Sequence, residues 1–327
     1  MDQQQEQLAN IFIPYALREM QRVKDNGIRF AHYTAADTGL TILRTGRMLL
    51  RNSTLMNDFS EVRHGLACLK AAYEGAMGER LKAALQQVQS DLPAILEANF
   101  NEQILDVLGE TYLTSLSEHS GVHEERFGRL SMWRAYAPRN GIAFVMNTGP
   151  FLCESNALGA LTSPVAYATP NEFEPAFHEL VQSIEQNIAM LKPLGAALVH
   201  DLLMNTFRMA VQSIKHPAFK EESEWRIIYT PKILERGGSL TEEQRKRVPS
   251  EIMSIRGAPQ RVYAIPFQDY PDEGFVGATI PDLLDRVLVG PSLDSYTIQQ
   301  AFIAELQRLG VPDAENRVTI TGIPLRH

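Results

Sequence analysis

The sequence predicts an α+β protein in which helices surround a mixed β-sheet, and two features of the chain support this prediction. Two long stretches, 61–110 and 172–213, have the Ala-, Leu-, Glu- and Gln-rich composition of helices. Short stretches rich in β-branched and aromatic residues lie before, between and after them. A mixed sheet wrapped by helices explains this order best.

The amino-terminal elements follow from apolar spacing and from turn residues. Apolar residues recur at roughly helical spacing over 6–25, and Pro14 should break or kink this helix. A later helix should begin at Thr34, with Asp37 three residues on as in a capping box, and end at Gly46. The elements predicted here are a turn at 26–27, a strand at 28–33, a helix at 34–46, a strand at 48–51 and a loop at 52–60.

The rest of the chain combines helices with short strands. Pro93 indicates a helix start inside the first helical stretch, and Lys192–Gly195 interrupts the second. Residues 294–309 have the pattern of an amphipathic helix. Strands are predicted at 111–117, 141–147, 225–230, 261–265, 286–289 and 317–320.

Length, charge and cysteine count limit the class of protein. The 327 residues are predicted to form an N-terminal helical segment, 1–27, and one α+β domain, 28–327, with helical insertions at about 61–110 and 172–213. A net charge of −8 argues against a dedicated non-specific nucleic-acid binder. Two cysteines without a CxxC pair exclude a disulfide framework. With no apolar run near the roughly 18 residues of a membrane span and no secretion signal, we expect a cytoplasmic protein without a membrane partner.

Two candidate sites follow the early strands. His32, Tyr33 and Thr34 stand where a strand ends and a helix begins, a favoured place for an anionic or nucleotide ligand. The alternative is a capping Thr beside a core His. Asn57 and Asp58 lie in the next loop and would either close over a ligand or start the following helix.

Two serines and two aromatic residues mark a third candidate. Ser115 and Ser117 share one face of a predicted strand and either line a site or are small residues on a pleat. Trp133 and Tyr136 share a helix face, where core packing is the alternative to a stacking platform.

The most informative stretch is 216–226, where acids precede and begin a late strand. Glu224 at the strand mouth can hold a ribose hydroxyl or stabilise positive charge in a transition state. Arg226 shares its strand face, so an ion pair is the alternative. Glu221 and Glu222 are expected to be a solvated charge run.

Other chemistries find less support in the sequence. No GxGxxG, GxxxxGK[ST], HExxH or GxSxG motif is present, so Rossmann, P-loop and related sites are not predicted. His119 and His123 stand at i and i+4 without a nearby cysteine, which is a weak metal pattern, and no metal site is predicted. Cys68 and Cys153 lie in apolar contexts typical of packed core residues, although spacing alone leaves a Cys–His nucleophile pair open.

Four motifs in order resemble a known family. HYT at 32–34, ND..E at 57–61, MW..YA with G.AF at 132–144 and FKEE.EWR at 219–226 are similar to the bacterial domain of unknown function 2971 family. The resemblance runs from about Phe30 to Pro291. The chain is identified as a member, and the family name implies no established activity.

A looser resemblance concerns the first motif. A strand ending in His, a following Thr, a helix ending in Gly and a new strand resemble the opening of the ADP-ribosyltransferase fold. This resemblance implies an ADP-ribosyltransferase-like mixed sheet and NAD as co-substrate without a metal. It also implies that His32 and Thr34 hold the nicotinamide half and that Glu224 is the catalytic acid on the ribose 2′-hydroxyl. Both His32 and Glu224 would then face one cavity.

The middle motif departs from that superfamily's pattern. Tyr136 or Tyr33 would stack on the nicotinamide, Ser115 or Ser117 would stand for the serine of another branch, and Arg51 or Arg226 would neutralise the pyrophosphate. The resulting nucleotide-binding set is His32, Tyr33, Thr34, Arg51, Asn57, Asp58, Ser117, Trp133, Tyr136 and Arg226, with Glu224 and His32 as catalytic residues.

The expected function is therefore transfer of ADP-ribose from NAD to a macromolecular acceptor (protein, DNA or RNA), or NAD hydrolysis. Toxins among that superfamily add a toxin or defence role to the expectations. Three alternatives stay open: a non-catalytic nucleotide-binding or sensor module, a metal-dependent nuclease or hydrolase using Asp58, Glu61 and Glu224, and a structural or interaction protein.

Overall fold

The computed structural model describes residues 3–55, 61–137, 139–237, 240–255 and 257–324. Its strands are β1 (Arg29–Ala35), β2 (Arg47–Asn52), β3 (Tyr112–His119), β4 (Gly141–Met146), β5 (Leu161–Pro164), β6 (Ala166–Tyr167), β7 (Ile214–Lys215), β8 (Glu224–Tyr229), β9 (Ser250–Ile255), β10 (Ala258–Pro266), β11 (Leu284–Val289) and β12 (Val318–Ile320).

Helices precede, connect and follow these strands. They are α1 (Gln3–Phe12), α2 (Pro14–Asp25), α3 (Ala36–Thr45), α4 (Glu61–Tyr73), α5 (Ala76–Val88), α6 (Leu92–Gly109), α7 (Gly121–Phe127), α8 (Leu130–Tyr136), α9 (Pro170–Gln186), α10 (Ile188–Leu194), α11 (Ala196–Ser213), α12 (Pro231–Gly237), α13 (Glu242–Arg247), α14 (Ile280–Leu283), α15 (Ser295–Arg308) and α16 (Ala314–Arg317). Short 3₁₀ turns cover Ser53–Leu55, Pro217–Glu222 and Pro271–Glu273.

Ten of the strands form one mixed sheet, which confirms the α+β class. The order of its main path is β12-β11-β4-β1-β3-β2-β10-β9, and β8 pairs with both β3 and β5. The pairs are antiparallel except for β11 with β12. The small strands β6 and β7 form a separate parallel pair.

The sheet is split beside β3. On one edge of β3, β8 pairs continuously from Tyr112 to Ser117. On the other edge, β2 pairs only with Tyr112 and Leu113, and β1 pairs only with 117–119. Residues 114–116 therefore have no strand partner on that edge among the described residues. We call this interruption between β1 and β2 the notch.

Apolar side chains pack on both faces of the sheet and in a separate helical core. One sheet face carries Phe30 and Trp225 and packs against α15 through Phe302. The other carries Ala31 and Tyr33 and packs against α8. The helical stretches 61–110 and 172–213 pack against each other and against α1 in a third cluster. A single domain over 28–327 stays a prediction.

Local signals predicted several helix boundaries correctly. Pro14 begins a new helix directly after α1 ends, and Gly46 ends α3 in the left-handed conformation with φ 62°. Pro93 lies in the first turn of α6. The second helical stretch breaks at Asn187 as well as at the predicted Gly195.

The predicted helix cap at Thr34 was wrong. Thr34 and Ala35 continue β1, because they pair with Ile142 and Gly141 on β4. Helix α3 begins at Ala36 without a side-chain cap. Pairing with a strand more than a hundred residues later decided this boundary, and the local capping pattern did not.

Candidate functional site

The split sheet brings the first, middle and late motifs together. Ala31 on β1 lies opposite Ser117 on β3, and Ser117 lies opposite Glu224 on β8. The Ser115 carbonyl oxygen is 3.1 Å from His32 Nδ1, and the Ser115 hydroxyl donates to Glu224 Oε1 at 2.5 Å. The predicted His and Glu are therefore neighbours through one serine at the notch.

They nevertheless project to opposite faces of the sheet. Side chains alternate along a strand, and directly paired residues point the same way. Glu224 thus shares a face with Ala31, whereas His32 shares the opposite face with Phe30. The expectation that His32 and Glu224 face each other across one shared cavity is corrected, because both contact Ser115 but from opposite faces of the sheet.

The Glu224 carboxylate is buried and fully hydrogen-bonded. Its residue is 5% exposed. Arg226 Nε donates to Oε1 at 2.8 Å and Nη2 to Oε2 at 3.1 Å, while Lys215 Nζ lies 3.2 Å from Oε2. Burial would raise the pKa of this carboxyl, but the charges of Arg226 and Lys215 outweigh burial and lower its pKa to about 2. Glu224 is therefore ionised throughout the physiological range.

The expectation of a solvated charge run was wrong for Glu222. Its Oε2 accepts from Lys215 Nζ at 2.7 Å, and its Oε1 accepts from the Tyr136 hydroxyl at 3.3 Å. Lys215 is itself 3% exposed. Two carboxylates and two cations thus balance in one cluster, Lys215, Glu222, Glu224 and Arg226, which we call the ion cluster.

Local backbone geometry positions the residues of the ion cluster. Ser223 has a left-handed conformation, φ 42°, and this turns the chain from the 3₁₀ turn into β8. The Tyr167 hydroxyl accepts from the Glu224 backbone N–H at 2.8 Å. Pairing of Tyr167 with Lys215 between β6 and β7 brings both residues to the mouth of β8. Sequence reasoning missed these two residues, because neither carries a motif and only the tertiary fold joins them.

One ring nitrogen of His32 is hydrogen-bonded within the described residues, and the other is not. Since a carbonyl oxygen only accepts, Nδ1 carries the proton and donates to Ser115. Burial lowers the pKa of His32 below its usual 6.5, and the bond to Ser115 opposes this only in part. The ring is neutral at pH 7, and its Nε2 acceptor has no protein partner among the described residues.

Two predicted aromatic ligand-binding residues belong to the core. Trp133 is 0% exposed, and its indole N–H donates to the Phe127 carbonyl. It packs edge-on against Tyr33 with 4.8 Å between ring centroids, and the Tyr33 hydroxyl accepts from the Arg129 backbone N–H. Both rings are surrounded by packed groups, which favours the core-packing alternative over nicotinamide stacking. Tyr136 is half-buried at the edge of the ion cluster.

The remaining predicted ligand-binding residues lie around the notch or inside the protein. Arg51 stands on β2 across the notch from β1, and its Nη2 donates to the Leu55 carbonyl at 2.9 Å. Thr34 is half-buried on β1. Ser117 is fully buried and donates to the Glu222 carbonyl at 2.5 Å. Arg226 is 1% exposed, so its pairing with Glu224 matches the ion-pair alternative.

Two residues of the predicted site are not among those that the structure describes. Asn57 and Asp58 fall outside the described residues. Within the described ranges, no group of three or more His, Cys, Asp or Glu is placed to hold a metal ion. Cys68 is buried, and burial raises the pKa of its thiol.

Comparisons with known proteins identify one family. The family model described as "Protein of unknown function (DUF2971)" matches residues 132–227, which contain the third and fourth motifs. No curated protein and no solved structure matches the chain. In the part of the chain that the structure covers, no helix combines the length and apolar character of a membrane span. The resemblance to ADP-ribosyltransferases stays a prediction, whereas residues 132–227 match the DUF2971 family of proteins of unknown function.

Proposed function

We propose that this protein binds NAD at the notch and transfers ADP-ribose to a macromolecular acceptor or to water. The observation that carries the proposal is the contact of one residue, Ser115, with both His32 and Glu224 where the sheet is interrupted. Because the notch breaks the sheet, a ligand lying in it can meet side chains from both faces. This removes the need for His32 and Glu224 to share one face.

His32 supplies a hydrogen-bond acceptor for the ligand. Its Nδ1–H is held by the Ser115 carbonyl, so the ring orientation and tautomer are set before a ligand arrives. The free Nε2 then accepts from a ribose hydroxyl. A neutral ring suits this role, since an imidazolium has no acceptor.

Glu224 supplies negative charge. Cleavage of the bond between nicotinamide and ribose develops positive charge on the ribose, and a fixed carboxylate stabilises such charge. The lowered pKa keeps Glu224 ionised without a separate base. To contact the ribose directly, Glu224 must give up a hydrogen bond to Lys215 or Arg226 and accept one from the ligand instead. Those two cations are then available to the pyrophosphate.

One observation favours a second candidate, the non-catalytic nucleotide-binding module. Glu224 is 5% exposed and accepts from Ser115, Lys215 and Arg226. A carboxylate so enclosed can act as a structural anchor that holds β8 against β3. In that case the notch binds nucleotide without breaking the glycosidic bond.

The test measures nicotinamide release and NAD binding side by side. Wild type should release nicotinamide from NAD, alone or with protein, DNA or RNA as acceptor, and Glu224→Gln should slow release about 100-fold or more. Glu242→Gln is the matched control, because Glu242 pairs with Lys246 on the exposed surface of α13. Ser115→Ala removes the hydroxyl bond to Glu224 and keeps the backbone carbonyl that holds His32, and it should weaken release as well.

The outcomes separate the two candidates. Calorimetric binding of NAD without nicotinamide release supports the nucleotide-binding module and rejects the transferase. Absence of both binding and release rejects the notch as a nucleotide site. Release that a chelator abolishes would favour the metal-dependent alternative instead.

A further inference from the structure

A surface cavity lies at the other end of β8. It has a volume of about 200 Å³ and is lined by Tyr229, Pro231, Leu234, Glu235, Arg245, Val248, Pro249, Ser250 and Tyr263. The end of β8, helices α12 and α13, and strands β9 and β10 form its walls. Glu224 begins β8 and Tyr229 ends it, so the cavity is about 16 Å along the strand from the ion cluster. It is therefore a site separate from the notch.

One wall of the cavity is aromatic. The ring centroids of Tyr229 and Tyr263 lie 5.0 Å apart, and those of Tyr112 and Tyr263 lie 4.6 Å apart. The rest of the apolar lining consists of Pro231, Leu234, Val248 and Pro249. Such a wall offers flat apolar surface to a small side chain or ring.

Three polar groups on the cavity have no hydrogen-bond or ion-pair partner among the described residues. Tyr229 is 3% exposed, yet its hydroxyl makes no hydrogen bond to any described residue. Glu235 and Arg245 are exposed at the rim, and neither forms an ion pair within the described ranges. The Tyr229 hydroxyl is not among the enclosed unpartnered atoms, so a ligand or solvent in the cavity can bond to it.

The two rim charges act on the same buried ring. Burial, the neighbouring Tyr263 and the Glu235 carboxylate raise the pKa of Tyr229, Arg245 lowers it, and the resulting pKa is about 12. Both rim residues line the cavity, and no ion pair joins them within the described residues.

We propose that this cavity binds a small zwitterion of the amino-acid type. Arg245 binds its carboxylate, Glu235 binds its ammonium group, and the Tyr229 hydroxyl bonds to one of these groups. The side chain of the ligand packs on the tyrosine wall. A zwitterion pairs with both rim charges at once, which a ligand with a single charge cannot do.

The experiment titrates the twenty L-amino acids one by one into the full chain by calorimetry. At least one apolar or aromatic amino acid should bind with one-to-one stoichiometry. Glu235→Gln and Arg245→Met should each raise its dissociation constant about tenfold or more, since each removes one charge-assisted contact. Glu242→Gln and Lys246→Met are matched controls on the exposed face of α13 and should leave binding unchanged.

A third variant separates binding from folding. Tyr229→Phe removes a hydroxyl that has no protein partner, so thermal stability without ligand should not fall, whereas binding should weaken. Blocked derivatives, acetylated at nitrogen and amidated at the carboxyl group, should not bind. Equal binding of blocked and free amino acids, unchanged affinity in both charge variants, or binding of none of the twenty would overturn the proposal. None of these outcomes depends on NAD turnover at the notch.

Discussion

Replacing Glu224 by Gln should lower the free energy of unfolding by about 3 kcal/mol at neutral pH. Lowering the pKa of Glu224 from 4.5 to about 2 corresponds to a stabilisation of this size, because each tenfold change in proton affinity corresponds to about 1.4 kcal/mol. Removing one member of a buried ion pair typically costs about 3–5 kcal/mol, since its partner stays buried without a counter-charge. Arg226, 1% exposed, is that partner here.

The same reasoning predicts a pH dependence. The folded state lowers the pKa of Glu224, so its contribution is complete above the unfolded value of 4.5 and is lost as pH falls towards 2. The difference in free energy of unfolding between wild type and Glu224→Gln should therefore shrink as pH falls below about 5. Urea denaturation followed by tryptophan fluorescence measures it, and Trp225 reports from the neighbouring position.

A control and a double variant complete this experiment. Glu242→Gln removes an exposed carboxylate paired with Lys246 and should change the free energy of unfolding by no more than about 0.5 kcal/mol. Glu224→Met combined with Arg226→Met should be less destabilising than the sum of the single changes, because no charge is left unpaired. If Glu224→Gln proves as mild as Glu242→Gln, the description of the ion cluster as buried and energetically important is refuted.

Two further predictions concern the notch and the core. Long-range ¹H–¹⁵N spectra should show His32 protonated on Nδ1 and neutral at pH 6.5, because burial and the Ser115 carbonyl favour that form, and an imidazolium at this pH would contradict the assignment. Gly290→Ala should lower the free energy of unfolding by about 1–3 kcal/mol, because its Cβ would lie 2.7 Å from the Trp133 ring. Gly149→Ala, with open space around it, should have a much smaller effect, and equal effects in thermal unfolding would argue against the close packing at Gly290.

Much of the secondary structure could be predicted because its signals are local. Pro14 and Gly46 set helix boundaries through their own backbone geometry, and the predicted late strands all appear in the sheet. Short strands such as β6 and β7 could not be predicted, since two residues carry too little pattern and their pairing partner is distant. The predicted helix cap at Thr34 was wrong for the same reason, because the strand that pairs with Thr34 is distant in sequence.

The candidate site was predictable in its residue types and less so in its geometry. The motifs pointed to His32 and Glu224, and the structure places both against Ser115. Their opposite faces follow from strand register, which no single motif contains. The spacing of Trp133 favoured the core over a stacking role without deciding between them, and its neighbours in the structure place it in the core.

The sequence by itself determined the α+β class, the order of the motifs and the match of residues 132–227 to one family model, because composition and local pattern are properties of a contiguous chain. Tertiary structure alone decided which charges meet. Lys215 and Glu222 look like ordinary charged residues in the sequence, yet burial beside Glu224 and Arg226 leaves each of them dependent on the others. A buried charge is tolerated only where the fold supplies its opposite, and that condition joins distant segments.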